Sequence, residues 1–358
     1  MKTSTQREKL GWVEFSRGCA ALVVFVSHSF YADVPSSYSN IFLWGRWGVC
    51  FFFVLSGFII AHAHWADLNT PSRAPNFYWR RFVRIFPTYW LALAAFLFVR
   101  NYLGNPDHRI HAGIFEIVGN IAMWPTISEL LLSMAWTLRH ELLFYALFSA
   151  LILGTRLGIA VLACWLLLLL WGLSQSTSCE MLTVAADRCM QLNSMLPARN
   201  PALLIVTLNV NLYFFVGIGL AVCSRAGKIN TALLVTMTGT AVTFIAYQVF
   251  DAVYILALMQ AFAIVFCVTG AIAASERYRA PQLAHWFGAI SYPFYLLHVT
   301  AMLVAHGLLK RAPIEVPWQF TVLLALVLSL LASHAVAFLF ENRVRIFAAK
   351  FRRLRTAS

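Results

Sequence analysis

The chain has 358 residues, 61% of them hydrophobic and only 11% charged, with a formal net charge of +13. Soluble globular domains carry about 25% charged residues, so this composition excludes a soluble enzyme on a simple anchor and argues against a nucleic-acid-binding role. It fits an all-α polytopic integral membrane bundle, in which each crossing needs about 20 apolar residues. Ten such stretches follow one another, at 12–31, 42–62, 82–100, 135–153, 157–173, 202–223, 231–249, 252–274, 285–307 and 318–340. They form a single membrane domain over 1–358, with no cleavable signal, no internal repeat and no soluble extracytoplasmic domain expected.

The first stretch contains "RGCAALVVFVSH", Arg17 to His28. Eleven residues turn a helix through about 1100°, within about 20° of whole turns, and advance it about 16 Å. Arg17 and His28 therefore share a face. Ionisable groups are costly inside lipid and face a protein interior or a watery cavity, so that face lines something. The second stretch, "FFFVLSGFII", sets Ser56 and Gly57 in an aromatic run, where small residues let helices approach closely.

The third stretch is entered through "YWRRFVRIFPTYW", Tyr78 to Trp90. Arg81 and Arg84, three apart, share a helix face, with Arg80 beside them. Guanidinium forks suit phosphates; anchoring on the cytoplasmic side is the competing explanation. Pro87 fits near a helix start or at a kink. The segment 113–132 holds Glu116, Asn120, Pro125 and Glu129 and reads as an outer-face or re-entrant piece.

The fourth stretch opens with "AWTLRHELLFY", Ala135 to Tyr145, and Glu141 is the one acid well inside a predicted span. Counted from the outer ends, Glu141 lies about 9 Å deep and His28 about 5 Å. At similar depth the two can pair, the carboxylate orienting an imidazole for general-base work. A buried structural pair, or no contact, is the competing reading. His298, in "SYPFYLLH" of the ninth stretch, reads first as a core histidine and second as a substrate-side residue. His62, His64, His140, His306 and His334 carry no such signal.

Charge placement fixes the expected topology. Ten spans with a cytoplasmic amino terminus put 19 of the 27 Lys and Arg residues on the cytoplasmic side. An eleventh span at 113–132 would move the basic tail "ENRVRIFAAKFRRLR" outside. Both termini are therefore expected in the cytoplasm, where the basic residues also meet anionic lipid. Cys179 and Cys189 share the predicted outer loop 174–201 and can pair if that side is oxidising. No cysteine or histidine spacing suggests a metal.

Five stretches, "RGCAALVVFVSH", "FFFVLSGFII", "RRFVRIFP", "WTLRHELLFY" and "SYPFYLLH", in this order and at these spans, resemble the acyltransferase-3 family of membrane proteins, over about residues 10–342. The resemblance implies a ten-helix enzyme of a bacterial inner membrane. Such enzymes move an acetyl or other short acyl group from cytosolic acyl-coenzyme A to a hydroxyl of a surface or exported polysaccharide, and some members acylate small molecules such as macrolides. By motif, Arg17 and His28 match the essential arginine and histidine of the first helix. Arg81 and Arg84 match the R-x-x-R of the acyl-donor side, and Glu141 matches the glutamate of W-[ST]-L-x-x-E, here with Thr137 where serine is frequent.

The expected catalytic set is thus His28, Glu141 and Arg17. The expected donor-binding set is Arg80, Arg81 and Arg84, and the substrate-side set is Trp136, Tyr145 and His298. Acetyl-coenzyme A is the expected donor, with no metal. The expected partners are the bilayer, a glycan acceptor and glycan assembly enzymes. A proton-coupled carrier or flippase is the alternative class, disfavoured by the lack of a two-half repeat.

Overall fold

A computed structural model of the chain describes residues 10–29, 44–103, 110, 112–125, 130–175, 205–250, 253–311, 316–344 and 346–348. Among the described residues there is no strand. Helix is what an apolar run must form in lipid, because no water is present to satisfy exposed backbone groups.

The helices are α1 (Gly11–Ser29), α2 (Trp44–His64), α3 (Ala74–Phe98), α4 (Ile114–Ile121), α5 (Trp136–Leu153), α6 (Thr155–Gln175), α7 (Leu212–Arg225), α8 (Ile229–Phe250), α9 (Val253–Arg277), α10 (Gln282–Leu309) and α11 (Trp318–Ala335). The last continues as a π-helical turn, Val336–Glu341. A helix stands at each of the ten expected positions. Eight helices among the described residues are long and apolar enough to cross a membrane. The other two are α1, which carries Glu14, Arg17 and His28, and α7, whose 14 residues reach only about 21 Å against a hydrocarbon layer about 30 Å thick. Within the ambiguous 113–132 segment, α4 has 8 residues, about 12 Å of helix and too short to span. The Cys179–Cys189 pairing and the tail beyond residue 348 lie outside the described residues.

The centre of the bundle is α1, α2 and α10, which pack on one another as α1–α2 and α1–α10; α3 and α5 close one side and α7 lies along α2. In α10, 67% of the spanning stretch is buried, against 6% in α8, so α10 is a core helix and α8 lies at the periphery, packed along α9. The α2–α7 contact is made backbone to backbone. A Cβ on Gly57 would run into the carbonyl of Phe214, and one on Gly217 into the carbonyl of Val54. That is the close approach expected of "LSGF" in α2, and it fixes the rotation of α2 and hence the direction of Ser56.

Candidate active site

The third helix begins earlier than hydropathy indicates. A 3-10 turn over Pro71–Arg73 leads into α3 at Ala74, with Pro75 in the first turn, where a missing N–H costs nothing. Apolarity alone places the start at 82 because "NFYWRRFVR" is polar. Arg81 and Arg84 on its inner side line a cavity, while Tyr78 and Arg80 are exposed. Arg81 and Arg84 therefore stand about 10 and 15 Å along the helix, inside the bundle and not at its mouth.

There they meet the rest of the cluster. Arg17 of α1, Ser56 of α2, Arg81 and Arg84 of α3, Glu141 and Tyr145 of α5, and Tyr292 and Tyr295 of α10 line one cavity of about 120 Å³. At about 30 Å³ per water, this is room for about four waters or one small group. Phe52 and Phe53 supply part of its apolar wall.

Two carboxylates balance the guanidiniums. Glu141 Oε1 accepts from Ser56 Oγ at 3.1 Å and, closely, from the Tyr145 hydroxyl one turn on. Arg81 lies over the Tyr145 ring, 5.6 Å from its centroid, and Arg84 over Tyr292 at 5.0 Å. Arg84 Nη1 also pairs with Glu341 Oε2 at 3.5 Å, while the Thr88 hydroxyl donates to Glu341 Oε1 at 3.0 Å. The Nε of Arg81 is buried with no hydrogen-bond partner. Arg17 makes no hydrogen bond or ion pair among the described residues. Three guanidiniums and one carboxylate, Glu141, line the cavity, with Glu341 beside Arg84 and Glu14 near Arg17 outside the lining, and an unsatisfied buried donor is costly. Both features favour an anion.

The expected His28–Glu141 pair does not form. Glu141 is taken up by Ser56 and Tyr145, whereas His28 Nδ1 lies 2.8 Å from the Val24 carbonyl and 3.3 Å from His298 Nε2. The reason is depth. Glu141 shares the cavity with Arg17, and His28 stands about 16 Å farther along α1. Depths counted from predicted span ends treated those ends as level, which they are not. Tyr295 joins the two regions: it lines the cavity, its ring centroid is 6.1 Å from that of His298, and its hydroxyl is 3.0 Å from Thr137 Oγ1.

Of the other expected site residues, Tyr145 lines the cavity. Trp136 does not; it packs against Phe53 and His140. Arg80 is exposed and outside the cavity lining. Sequence reasoning missed Ser56 as a polar partner, Tyr292 as the platform for Arg84, and Glu341. The last had a signal, an acid directly after the final apolar run.

Comparison with known proteins bears on this cavity. The acyltransferase-3 profile, described as an acyltransferase domain, matches residues 10–340. The chain belongs to the acyltransferase-3 family. Every residue of the arginine–glutamate cavity falls inside the matched stretch. A Rhizobium radiobacter protein described as "Protein 2 in picA locus" is 34% identical over 155 residues, covering 37% of this chain and 77% of that protein. No solved structure matches. This acyltransferase is a multi-pass membrane protein, with its charged cavity buried among α1, α2, α3, α5 and α10.

Proposed function

We propose that this acyltransferase moves an acetyl or other short acyl group from cytosolic acyl-coenzyme A to a hydroxyl of a surface or exported glycan, at a bacterial inner membrane. The observation that carries the reading is the cavity in which Arg17, Arg81 and Arg84 converge, with the buried Nε of Arg81 unpartnered. A phosphate supplies the acceptor oxygens that this donor set lacks. The void is small, about 120 Å³, and suits a phosphate or an acyl end; the bulk of a nucleotide donor belongs outside it.

The separation between the arginines and His28 supports the same donor. Coenzyme A carries its charge and its thioester at opposite ends of a slender arm, and the site keeps guanidiniums and imidazole about 16 Å apart along α1. Tyr145 and Tyr292 hold the planes of Arg81 and Arg84. Glu141 offsets the arginine charge and anchors Ser56 and Tyr145. Acyl-coenzyme A supplies an activated carbonyl. His28 takes the proton of the acceptor hydroxyl as its oxygen bonds to that carbonyl, the carbon–sulfur bond breaks, and the thiolate leaves with the proton that His28 returns.

The test is release of free thiol from acetyl-coenzyme A by the purified enzyme, with O-acetyl groups on the glycan followed by NMR. Arg81→Ala is expected to raise the donor KM about ten- to a hundredfold, the loss of one charge-assisted hydrogen bond. His28→Ala is expected to cut kcat about 10²–10⁴-fold. Wild-type kinetics in both variants, or solute uptake into sealed vesicles with no thiol released, would overturn the proposal.

A further inference from the structure

We infer that Tyr295 is a gate: its ring, tethered by two hydrogen bonds to the start of α5, closes the way from the arginine cavity to His28, and the arm of the acyl donor passes only when that tether breaks. The inference rests on the reading that the donor's charge docks on the arginines while its thioester reaches His28.

Four helices run through both regions and fix which side chains lie between them. On α1, Arg17 lines the cavity and His28 stands about 16 Å farther along. On α10, Tyr292 lies under Arg84 and His298 faces His28 at 3.3 Å; Tyr295, three residues from each, shares their face. Helix α2 runs the other way, since Gly45 abuts Ser27 and Gly48 abuts Val24. Phe52 therefore lies one turn from Ser56 toward the histidines. On α5, Thr137 lies one turn from Glu141 in the same direction, where its hydroxyl meets that of Tyr295. Ala21 and Val24, four and seven residues past Arg17, fill the α1 side and are each 1% exposed.

These side chains make a closed layer. Phe52, Thr137 and Tyr295 line the cavity, whereas His28 and His298 do not. The Tyr295 ring meets that of Phe52 edge-on at 5.7 Å between centroids and that of His298 at 6.1 Å. A cavity of about 120 Å³ that stops here lets no arm through until a side chain moves. Tyr295 is the one built to move. Its hydroxyl donates to the Met134 carbonyl at 3.1 Å and accepts from Thr137 Oγ1 at 3.0 Å. Thr137 Oγ1 also lies 3.3 Å from the same Met134 carbonyl. When Tyr295 swings away, Thr137 can serve that carbonyl, so opening strands no buried acceptor, the costly part of breaking a hydrogen bond. Shut, the layer keeps water from the far side away from the donor's end of the site.

The experiment follows a small anionic thiol reagent, sulfonatoethyl methanethiosulfonate, into the full-length enzyme in sealed inside-out membrane vesicles. Modification is read by mass spectrometry at position 56 in Ser56→Cys and at position 28 in His28→Cys. Position 56 lines the cavity and is expected to react fast; position 28, behind Tyr295, is expected to react at least about tenfold more slowly. Tyr295→Phe keeps the ring and removes both bonds. It is expected to speed modification at position 28 about tenfold, the worth of one to two neutral hydrogen bonds, and to leave position 56 unchanged. With His28 and Ser56 intact, Tyr295→Phe is expected to raise thiol release in the absence of acceptor, with the donor KM unchanged. A Tyr295 that only packs would alter the unfolding temperature and leave the ratio of the two labelling rates as it was.

Position 28 reacting as fast as position 56 with Tyr295 in place would overturn the inference, and that comparison needs no Tyr295 variant to fold. So would an unchanged rate at position 28 in a folded Tyr295→Phe enzyme, or no reaction at position 56 at all. The donor reading fails separately: absence of thiol release in the wild type removes it, while the labelling rates still report whether Tyr295 closes the layer.

Discussion

Glu141 joins two partners, Ser56 from a distant helix and Tyr145 one turn on. Its carboxylate takes hydrogen bonds from Ser56 and Tyr145 and faces the arginine cavity. Ser56→Ala removes one bond to an ionised group, worth about 1.5–3 kcal/mol; kcat for thiol release is expected to fall at least about tenfold with the fold intact. Glu341 is the second hub. It is 5% exposed and pairs with Arg84, so Glu341→Gln leaves a partly buried guanidinium without its counter-charge. The expected result is a lower unfolding temperature, with Arg84→Gln/Glu341→Gln losing less than the sum of the single changes, a coupling of about 0.5–3 kcal/mol. At this scale the sequence was legible where helical spacing was at stake: Arg17 with His28, and Arg81 with Arg84. It was silent on Ser56, which reads as a small packing residue beside Gly57. It was also misleading on the partner of Glu141, because matching depths requires knowing where each helix begins.

Helix α2 owes its position to Gly57 and Gly217, whose hydrogens meet the opposing backbone. Gly217→Ala places a methyl against the carbonyl of Val54, and main chain cannot step aside as a side chain can. A destabilisation of about 1–3 kcal/mol is expected from such overpacking, read as thermal unfolding in detergent, together with weaker activity because Ser56 rides on the same helix. The span at 82–100 shows why boundaries fail in this class of protein. Hydropathy registers what lipid tolerates, but Arg81 and Arg84 near the start of α3 turn toward a cavity, while Arg80 stays exposed. The interior proline is the opposite case. Pro87 lies within α3, where it has no N–H to give the Val83 carbonyl; the Tyr292 hydroxyl bonds a different carbonyl, that of Ile85, at 2.9 Å.

Across the whole molecule, burial grades from α10, 67% buried over its spanning stretch, to α8 at 6%. The outward face of α8 is therefore surface for lipid. Ile245 is 62% exposed, and Ile245→Arg, off the helix middle, is expected to reduce membrane insertion by somewhat less than the about 2.5–3.5 kcal/mol of a central arginine, seen as loss of membrane-fraction protein while Ile245→Leu has no effect. Composition alone was enough for the class and the helical order, since 61% hydrophobic content leaves few alternatives. The charged cavity was not legible as one object. Its residues come from five helices, and no periodicity within one helix reports its neighbours. Glu341 adds a temporal consequence. Because the counter-ion of Arg84 lies at the far end of the last helix, a ribosome must make nearly all of the chain before the pocket's charges can balance. A nascent enzyme interrupted before residue 341 would hold its earlier helices in the bilayer and still lack the partner that seats Arg84.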